Sequence, residues 1–359
     1  RITPLLEATP TPTRTLNSYT QEGETHFQAG NLEKAIDAYY LALEIEPDNP
    51  ELWAELARIQ VYSTSQITTD AGKKTRLEQA LASVEKGLEI APENSMLFAV
   101  KAFALDWYGV SSIAGENWQN SLIKGEQAAV FALQYDNTNA LALAYYAELL
   151  IDQQKWSQAE QYITQAIERD PSLMDVHRVN GYVKESTANY KQAVEEYKKA
   201  IEITPNLNFL YISLGANFRK LANLSEITTE RTYYYDLALE SFADAVRIND
   251  QLGVNDPIPL ISIANTYVQQ GEFFAAARNV LKALSFNPAD GTVYGQLGVV
   301  YYKARNYEGS ILPLRCAVRG CDAAESCQVR NSGAECEAAD VGDIVIQPLP
   351  MTTNTVIYY

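Results

Sequence analysis

The sequence has little histidine, little cysteine and few cations. Of its 359 residues, two are histidines and four are cysteines. Lys and Arg number 28 against 45 Asp and Glu, which leaves a formal net charge of −17. Binding to phosphate backbones relies on cations, so this balance excludes nucleic acid as an expected partner. The sequence also lacks a run of about 18 uncharged apolar residues, so we expect no membrane span.

Local motifs for catalysis, cofactors and metals are missing as well. His26 and His177 have no Cys or acidic pair at a metal-ligand spacing, and we interpret both as ordinary helix residues. The segment "TTDAGKKT" lacks the glycine that a phosphate loop requires, because Ile67 stands five residues before Gly72. No Ser-His-Asp or Cys-His pattern is present. We therefore expect no enzyme activity, no cofactor and no metal site.

Residues 1–15 predict an extended arm. The stretch "TPLLEATPTPTRT" alternates Thr and Pro towards its end, and Pro lacks the amide proton and fixes φ. Such stretches serve as stalks or spacers, sometimes O-glycosylated, in exported proteins, although a disordered terminus has the same composition. The chain starts at Arg1 instead of Met, which a cleaved export signal and a trimmed sequence would explain equally well.

Helical spacing with a regular stop recurs through most of the chain. The segments "LEKAIDAYYLALEIEPDN", "WSQAEQYITQAIERDPS" and "YKQAVEEYKKAIEITPN" share one order of Ala, large residue, Ala and Pro. The first Ala falls at Ala159 and Ala193, and the Pro at Pro171 and Pro205, so the period is 34 residues.

This pattern resembles the tetratricopeptide repeat (TPR), a pair of antiparallel helices. A small residue of the first helix occurs eight times, at Gly23, Ala57, Ala102, Ala147, Gly181, Gly215, Ala264 and Gly298. The resemblance implies an all-α fold, a right-handed superhelix of about eight helix pairs over residues 16–319. Residues 1–15 would precede it as the arm, and residues 320–359 would follow it as a separate cysteine-containing extension.

Three repeats carry an insertion of the same length. The small residues of the two helices lie 12 apart in compact repeats but 23 apart from Ala57 to Ala80, from Ala102 to Gly125 and from Gly215 to Ala238. Repeats 2, 3 and 6 thus contain 11 additional residues, about three helical turns, which preserves the phase of both packing faces. We expect the insertions to protrude at one edge and to carry contacts; tolerated loop length is the alternative.

The resemblance implies protein binding on the surface lined by the first helices. The Lys, Arg and Asn set with which one TPR subclass holds a C-terminal carboxylate is missing, and a mixed apolar surface favours an apolar, Pro-containing ligand. The candidate groove residues are Phe27, Tyr62, Tyr145, Ile151, Arg178, Tyr182, Phe209, Ile212, Val268 and Tyr302. The alternative is that these side chains pack against neighbouring repeats.

The cysteines are confined to the end of the chain. They are Cys316, Cys321, Cys327 and Cys336. Spacings of five, six and nine residues offer no Cys-x-x-Cys pair for zinc, so we predict two disulfides in one of three pairings. Disulfides indicate an oxidising, extracytoplasmic location, either secreted or at the cell surface.

The last residues predict a small β-hairpin. Runs of β-branched and aromatic residues at 344–346 and 355–359 are separated by Pro348 and Pro350. An isolated hairpin leaves an unpaired edge that can accept an extended strand from a partner.

The dissimilar chain ends indicate a structural subunit that joins head to tail into a filament. In this hypothesis the arm of one copy binds the groove or hairpin of the next. The assembly residues are Ile2, Leu5, Leu6, Ile344, Ile346, Val356 and Tyr358, and candidate glycosylation sites are Thr9, Thr11, Thr13 and Asn223. The alternative is a monomeric exported or membrane-anchored adaptor that binds a different protein or peptide in its groove.

Overall fold

The computed structural model describes residues 15–110, 112–337 and 341–350. These residues form 17 α-helices and contain no β-strand. The helices of the first half are α1 (Leu16–Gln28), α2 (Leu32–Ile45), α3 (Pro50–Ser63), α4 (Asp70–Ile90), α5 (Ser95–Val110), α6 (Trp118–Tyr135), α7 (Ala140–Asp152) and α8 (Trp156–Arg169). Those of the second half are α9 (Met174–Ser186), α10 (Tyr190–Ile203), α11 (Asn208–Leu224), α12 (Thr228–Leu252), α13 (Ile258–Gln270), α14 (Phe273–Phe286), α15 (Gly291–Lys303), α16 (Tyr307–Arg319) and α17 (Ala323–Arg330).

The chain divides into two compact units. Among the described residues, unit 1 comprises 15–64 and Thr69–Asp170, and unit 2 comprises Ser65–Thr68 and the residues from Pro171 onward. Helices α1–α8 form four consecutive pairs in unit 1, and α9–α16 form four pairs in unit 2. The predicted number of eight helix pairs is confirmed.

Four of the pairs are held at close range by a glycine in the first helix, at Gly23, Gly181, Gly215 and Gly298. A Cβ atom added at Gly215 would lie 2.7 Å from the Phe242 ring, and one added at Gly23 would lie 2.6 Å from the Tyr39 ring. Carbon atoms do not approach this closely without displacement, so glycine here lets the first helix contact a large ring of the second. The alternation of small and large residues in the sequence therefore sets the distance between the two helices.

Second helices are longer in the repeats that carry the insertions. Second helices α2, α8 and α10 have 14 residues each, whereas α4 has 21, α6 has 18 and α12 has 25. The segment "TTDAGKKT" begins α4, because the Thr69 hydroxyl accepts a hydrogen bond of 3.2 Å from the Gly72 N–H. This capping interaction accounts for Thr69.

The cysteine-containing extension forms two disulfides and an additional helix that the sequence analysis missed. Cys316 is bonded to Cys321 and Cys327 to Cys336, which selects one of the three pairings. Helix α17 lies between Cys321 and Cys336 and begins with a capping box, in which the Asp322 carboxylate and the Glu325 carboxylate each accept a backbone N–H.

The structure corrects the predicted hairpin in its first half. Ile346 exchanges both backbone hydrogen bonds with Cys321 as a single antiparallel bridge, and no strand continues from it in residues 341–350. Pro348 has no N–H for a further ladder bond, so the pairing ends there. The segment is instead anchored to the last repeat, since the Leu349 N–H donates to the Ala317 carbonyl at 2.9 Å. The second predicted run, 355–359, lies outside the described residues.

The extension covers the end of the repeat array. Cys321, Val329 and Ile346 are buried in one apolar cluster with residues of α15 and α16. A terminal repeat has no neighbour to bury its apolar side, and repeat proteins require a cap there. The extension serves as that cap.

We expect Gly215→Ala to lower the free energy of unfolding by about 1–3 kcal/mol. The added methyl group overlaps the buried Phe242 ring, which outweighs the roughly 1 kcal/mol that alanine gains in helix propensity. Urea denaturation followed by circular dichroism measures the change. Thr232→Ala, at an exposed position of α12, is the matched control and should change stability by no more than about 0.5 kcal/mol. A Gly215→Ala protein as stable as the parent would contradict the close approach.

Candidate functional site

The repeat register defines which side chains of each first helix lie on the face that the TPR resemblance assigns to ligands. These are the positions three before, one after and four after the small residue. In repeats 2, 3 and 4 all of them are buried: Ala54, Arg58, Val61, Ala99, Phe103, Asp106, Ala144, Glu148 and Ile151. The ligand face of unit 1 is therefore closed over these three repeats.

An aromatic ladder occupies this closed region. The rings of Phe27 and Tyr62 have centroids 6.2 Å apart, those of Tyr62 and Phe103 are 5.1 Å apart, and those of Phe103 and Tyr145 are stacked at 4.3 Å. These four residues belong to α1, α3, α5 and α7, so the ladder joins the first helices of all four repeats in unit 1. The candidate groove residues Phe27, Tyr62 and Tyr145 are thus part of the packing, and Ile151 is buried with them.

Two charged groups of this face, those of Arg58 and Glu148, are engaged in contacts within unit 1. The Arg58 guanidinium lies 4.8 Å from the centroid of the Phe27 ring and donates hydrogen bonds of 3.1 Å to the Glu55 carboxylate. The Glu148 carboxylate accepts a hydrogen bond of 3.1 Å from the Trp107 indole. Arg58 and Glu148 are therefore engaged in contacts between helices instead of facing a ligand.

The same register positions are open in unit 2. Ten of the twelve are at least partly exposed, and only Arg178 and Gly295 are buried. The large apolar side chains at these open positions, together with Phe209 and Ile258 one turn earlier on α11 and α13, are here called the unit 2 face. It consists of Tyr182, Phe209, Ile212, Ile258, Ile261, Val268, Val299 and Tyr302.

The unit 2 face continues from α11 to α13 because these two first helices pack together and present it in the same phase. Phe209 and Ile212 are each separated by 49 residues from Ile258 and Ile261, which occupy the same positions on α13. The two helices are linked directly, since an Arg219 guanidinium N–H donates to the Ser262 carbonyl at 3.1 Å. Sequence analysis found Tyr182, Phe209, Ile212, Val268 and Tyr302. It missed Ile258 and Val299, although both follow from the same register.

His177 joins the two helices of the repeat that begins the unit 2 face. Its Nδ1 lies 2.7 Å from a Glu196 carboxylate oxygen, and its Nε2 lies 2.8 Å from the Pro171 carbonyl oxygen. The ring therefore connects α9 with a side chain of α10 and with the backbone that precedes α9. Burial opposes ionisation of Glu196, but hydrogen bonds from His177, Lys199 and Asn180 outweigh it and hold the pKa of Glu196 at about 2, below its usual 4.5.

The remaining candidate residues have different positions. Ile344 is partly buried and Ile346 is buried beneath the cap, and Asn223 is exposed at the end of α11, where its Oδ1 accepts a hydrogen bond of 2.7 Å from the Tyr235 hydroxyl. The candidates outside the described residues are Ile2, Leu5, Leu6, Thr9, Thr11, Thr13, Val356 and Tyr358. Their roles in assembly and glycosylation stay predictions.

Two features are not found in the part of the chain that the structure describes. No group of three or more His, Cys, Asp or Glu side chains is arranged to hold a metal ion. Across residues 15–110, 112–337 and 341–350, no helix combines the length and the apolar character needed to span a membrane.

Comparisons with known proteins identify the repeat. A family model described as "TPR repeat" matches residues 23–61, and another described as "Tetratricopeptide repeat" matches residues 181–207. The chain is 21% identical to the human mitochondrial import receptor subunit TOM70 over 236 residues, 62% of this chain, and spans 36% of that receptor's length.

Solved structures share the fold. The match to the APC/C hetero-tetramer Cut9–Hcn1 covers 90% of this chain and 54% of the matched chain in that complex, with a TM-score of 0.61 and 16% sequence identity. The match to the human IFIT1 dimer with m7Gppp-AAAA covers 82% of this chain and 66% of the IFIT1 chain, with a TM-score of 0.59 and 18% sequence identity. At these identities the likeness shows a common helical-repeat architecture and nothing more.

We expect acid to destabilise unit 2 through the His177–Glu196 pair. The folded-state pKa of Glu196 lies at about 2, below its usual 4.5, so its stabilisation is present above about pH 4.5 and is lost as the pH falls towards 2. His177→Ala should lower the free energy of unfolding at pH 7 by about 1.5–3 kcal/mol and flatten the acid dependence. Urea denaturation between pH 7 and pH 3 measures both.

His26→Ala is the matched control for this prediction. His26 is partly exposed, and its Nε2 lies 4.0 Å from the Glu22 carboxylate on the same helix. Its loss should change stability by no more than about 0.5 kcal/mol. An acid dependence that is equally steep in the His177→Ala protein would contradict the role of the pair.

Proposed function

We propose that this chain, two segments of which match tetratricopeptide-repeat models, is a non-catalytic scaffold for protein–protein interaction whose unit 2 face binds an extended apolar segment. The contrast between the two units supports this proposal. Side chains in the same repeat positions are buried in repeats 2, 3 and 4 of unit 1, whereas in unit 2 they form a partly exposed apolar surface. A partly exposed apolar surface on consecutive helices is a candidate binding site.

The chemistry of the unit 2 face favours an extended segment with aliphatic side chains. Ile212, Ile261 and Val268 offer aliphatic contacts, and Tyr182 and Tyr302 add rings that bury area at low cost in side-chain entropy. Between them the exposed Asn265 carries both a donor and an acceptor for the backbone of a bound chain.

Nucleic acid is a poorer fit to this surface, although IFIT1 shares the fold and its title names a capped oligonucleotide. Arg178 is buried, and the whole chain has a net charge of −17. Phosphate binding requires exposed cations in excess. The unit 2 face instead matches a ligand that is recognised by burial of apolar groups.

The proposed ligand is the N-terminal arm of another copy. The sequence of residues 1–13 contains the apolar residues Ile2, Leu5, Leu6 and Ala8 and three prolines. Because Pro fixes φ, a segment of this composition loses less conformational entropy on binding. An arm of one copy held by the face of the next is a heterologous contact, and repetition of such a contact produces a filament.

The proposed location is outside the cytoplasm. All four cysteines of the chain are paired in the cap, and disulfides persist in oxidising compartments. The Thr residues of the arm and the exposed Asn223 are the positions at which glycans would be attached.

We expect deletion of residues 1–13 to abolish long assemblies. Size-exclusion chromatography with light scattering should show large species for the full chain and a monomer for the shortened one, and electron micrographs should show filaments only for the former. Ile258→Glu places a charge on the unit 2 face at an exposed helix N-terminus and should weaken assembly about tenfold or more.

The matched control is Leu41→Glu, which puts the same charge on an exposed apolar position of α2 in unit 1 and should leave assembly unchanged. Filaments that persist after deletion of the arm would falsify the proposal. A full chain that is monomeric at every concentration would contradict self-assembly and favour the monomeric adaptor.

A further inference from the structure

A row of exposed apolar side chains lies where the helix pairs of unit 2 turn. Within the pairs α11–α12, α13–α14 and α15–α16, each first helix is followed by a short turn into the second. The large apolar side chains at these turns, here called the turn edge, are Leu224, Ile227, Tyr233, Phe274, Tyr307 and Ile311. They do not belong to the unit 2 face.

The repeat geometry puts the three turns on one side of unit 2. Helices α11 and α13 pack together, as do α12 with α13 and α14 with α15, so successive pairs lie side by side. In such a stack every first helix runs in the same direction, and the turns that follow the first helices emerge at a common edge.

The side chains of the turn edge are largely exposed to solvent. Phe274 is 82% exposed and Leu224 is 67% exposed, so both project into solvent. Tyr307 is 58% exposed, although its ring lies 5.4 Å from that of Tyr302. Single exposed apolar residues are common, but a row of six on three consecutive turns marks an interaction surface.

The charge of the turn edge differs from that of the chain. Segments 220–233, 271–278 and 302–311 contain five Lys or Arg and four Glu, whereas the chain as a whole has a net charge of −17. The five cations are Lys220, Arg231, Arg278, Lys303 and Arg305, and all of them are exposed. Cations beside protruding Tyr, Phe, Leu and Ile side chains are the combination found in proteins that lie on the interface of a lipid bilayer.

We propose that the turn edge docks unit 2 onto the surface of a zwitterionic lipid bilayer. A bilayer accepts a row of protruding side chains without a complementary shape, whereas a protein partner would need matching recesses for each. Phe274, Leu224 and Ile227 would enter the boundary between headgroups and acyl chains, and Tyr307 would lie among the headgroups. Lys303 and Arg305 would contact lipid phosphates. The acidic remainder of the chain is repelled by anionic lipid, which favours the zwitterionic surface.

The test is co-sedimentation of the full-length chain with phosphatidylcholine vesicles. We expect binding by the parent protein and at least a tenfold loss of partitioning for the triple variant Ile227→Ser, Phe274→Ser and Tyr307→Ser, since three apolar side chains no longer leave water. All three positions are exposed, so unchanged thermal melting should confirm that the variant is folded. Val345→Ser removes an apolar group that is 51% exposed on the cap and should bind like the parent.

Three results would overturn the proposal. The first is a parent protein that stays in the supernatant with phosphatidylcholine vesicles, whether or not it binds vesicles that contain phosphatidylserine. The second is a folded triple variant that binds vesicles as well as the parent does. The third is loss of self-association in the triple variant without vesicle binding by the parent, which would assign the turn edge to contacts between copies.

Discussion

The close approach of two helices at one small residue determines the rest of this structure. Gly215 lies against the Phe242 ring with no room for a Cβ atom, and Gly23 has the same relation to Tyr39. This contact fixes the rotation of the first helix relative to the second. Every other position of the first helix then has an assigned direction: towards the partner helix, towards the neighbouring repeat, onto the ligand face or into the turn.

Identical register positions nevertheless have opposite roles in the two units. Ile151 and Tyr302 each lie four residues after the small residue of their first helix, and both were candidate groove residues, yet Ile151 is 3% exposed and Tyr302 is 59% exposed. In unit 1, Tyr145 stacks on Phe103 of the preceding repeat, whereas the positions that correspond to Tyr145 in unit 2 hold Val179, Ser213, Ser262 and Gln296. Unit 2 therefore has no aromatic ring at the position from which Tyr145 joins the ladder of unit 1.

The sequence was sufficient to predict what depends on local periodicity. Helical segments with a regular stop follow from spacing, because helical phase is a property of neighbouring residues. The arrangement of these segments as eight helix pairs was implied by the resemblance of the 34-residue pattern to the TPR. The exposure of the individual ligand-face residues could not be predicted in this way. Tyr62, for example, is buried against the ring of Phe103 in α5, which lies 41 residues later in the sequence. Helix α17 was not predicted, although Asp322 and Glu325 have the spacing of a capping box. A helix of eight residues is too short to show a periodic apolar pattern.

The location of the cysteines follows from the same physical argument. Interior repeats bury both sides against neighbours, but α15 and α16 have a neighbour on one side only. A short extension with a single eight-residue helix loses much conformational entropy when it folds over them, and it gains little buried area in return. Crosslinks at Cys316–Cys321 and Cys327–Cys336 reduce the entropy of the unfolded extension and so favour the docked form of Ile346 and Val329. This argument accounts for the position of the four cysteines, which follow 315 residues without cysteine. They lie in the chain segment that covers the last repeat and is too small to fold alone.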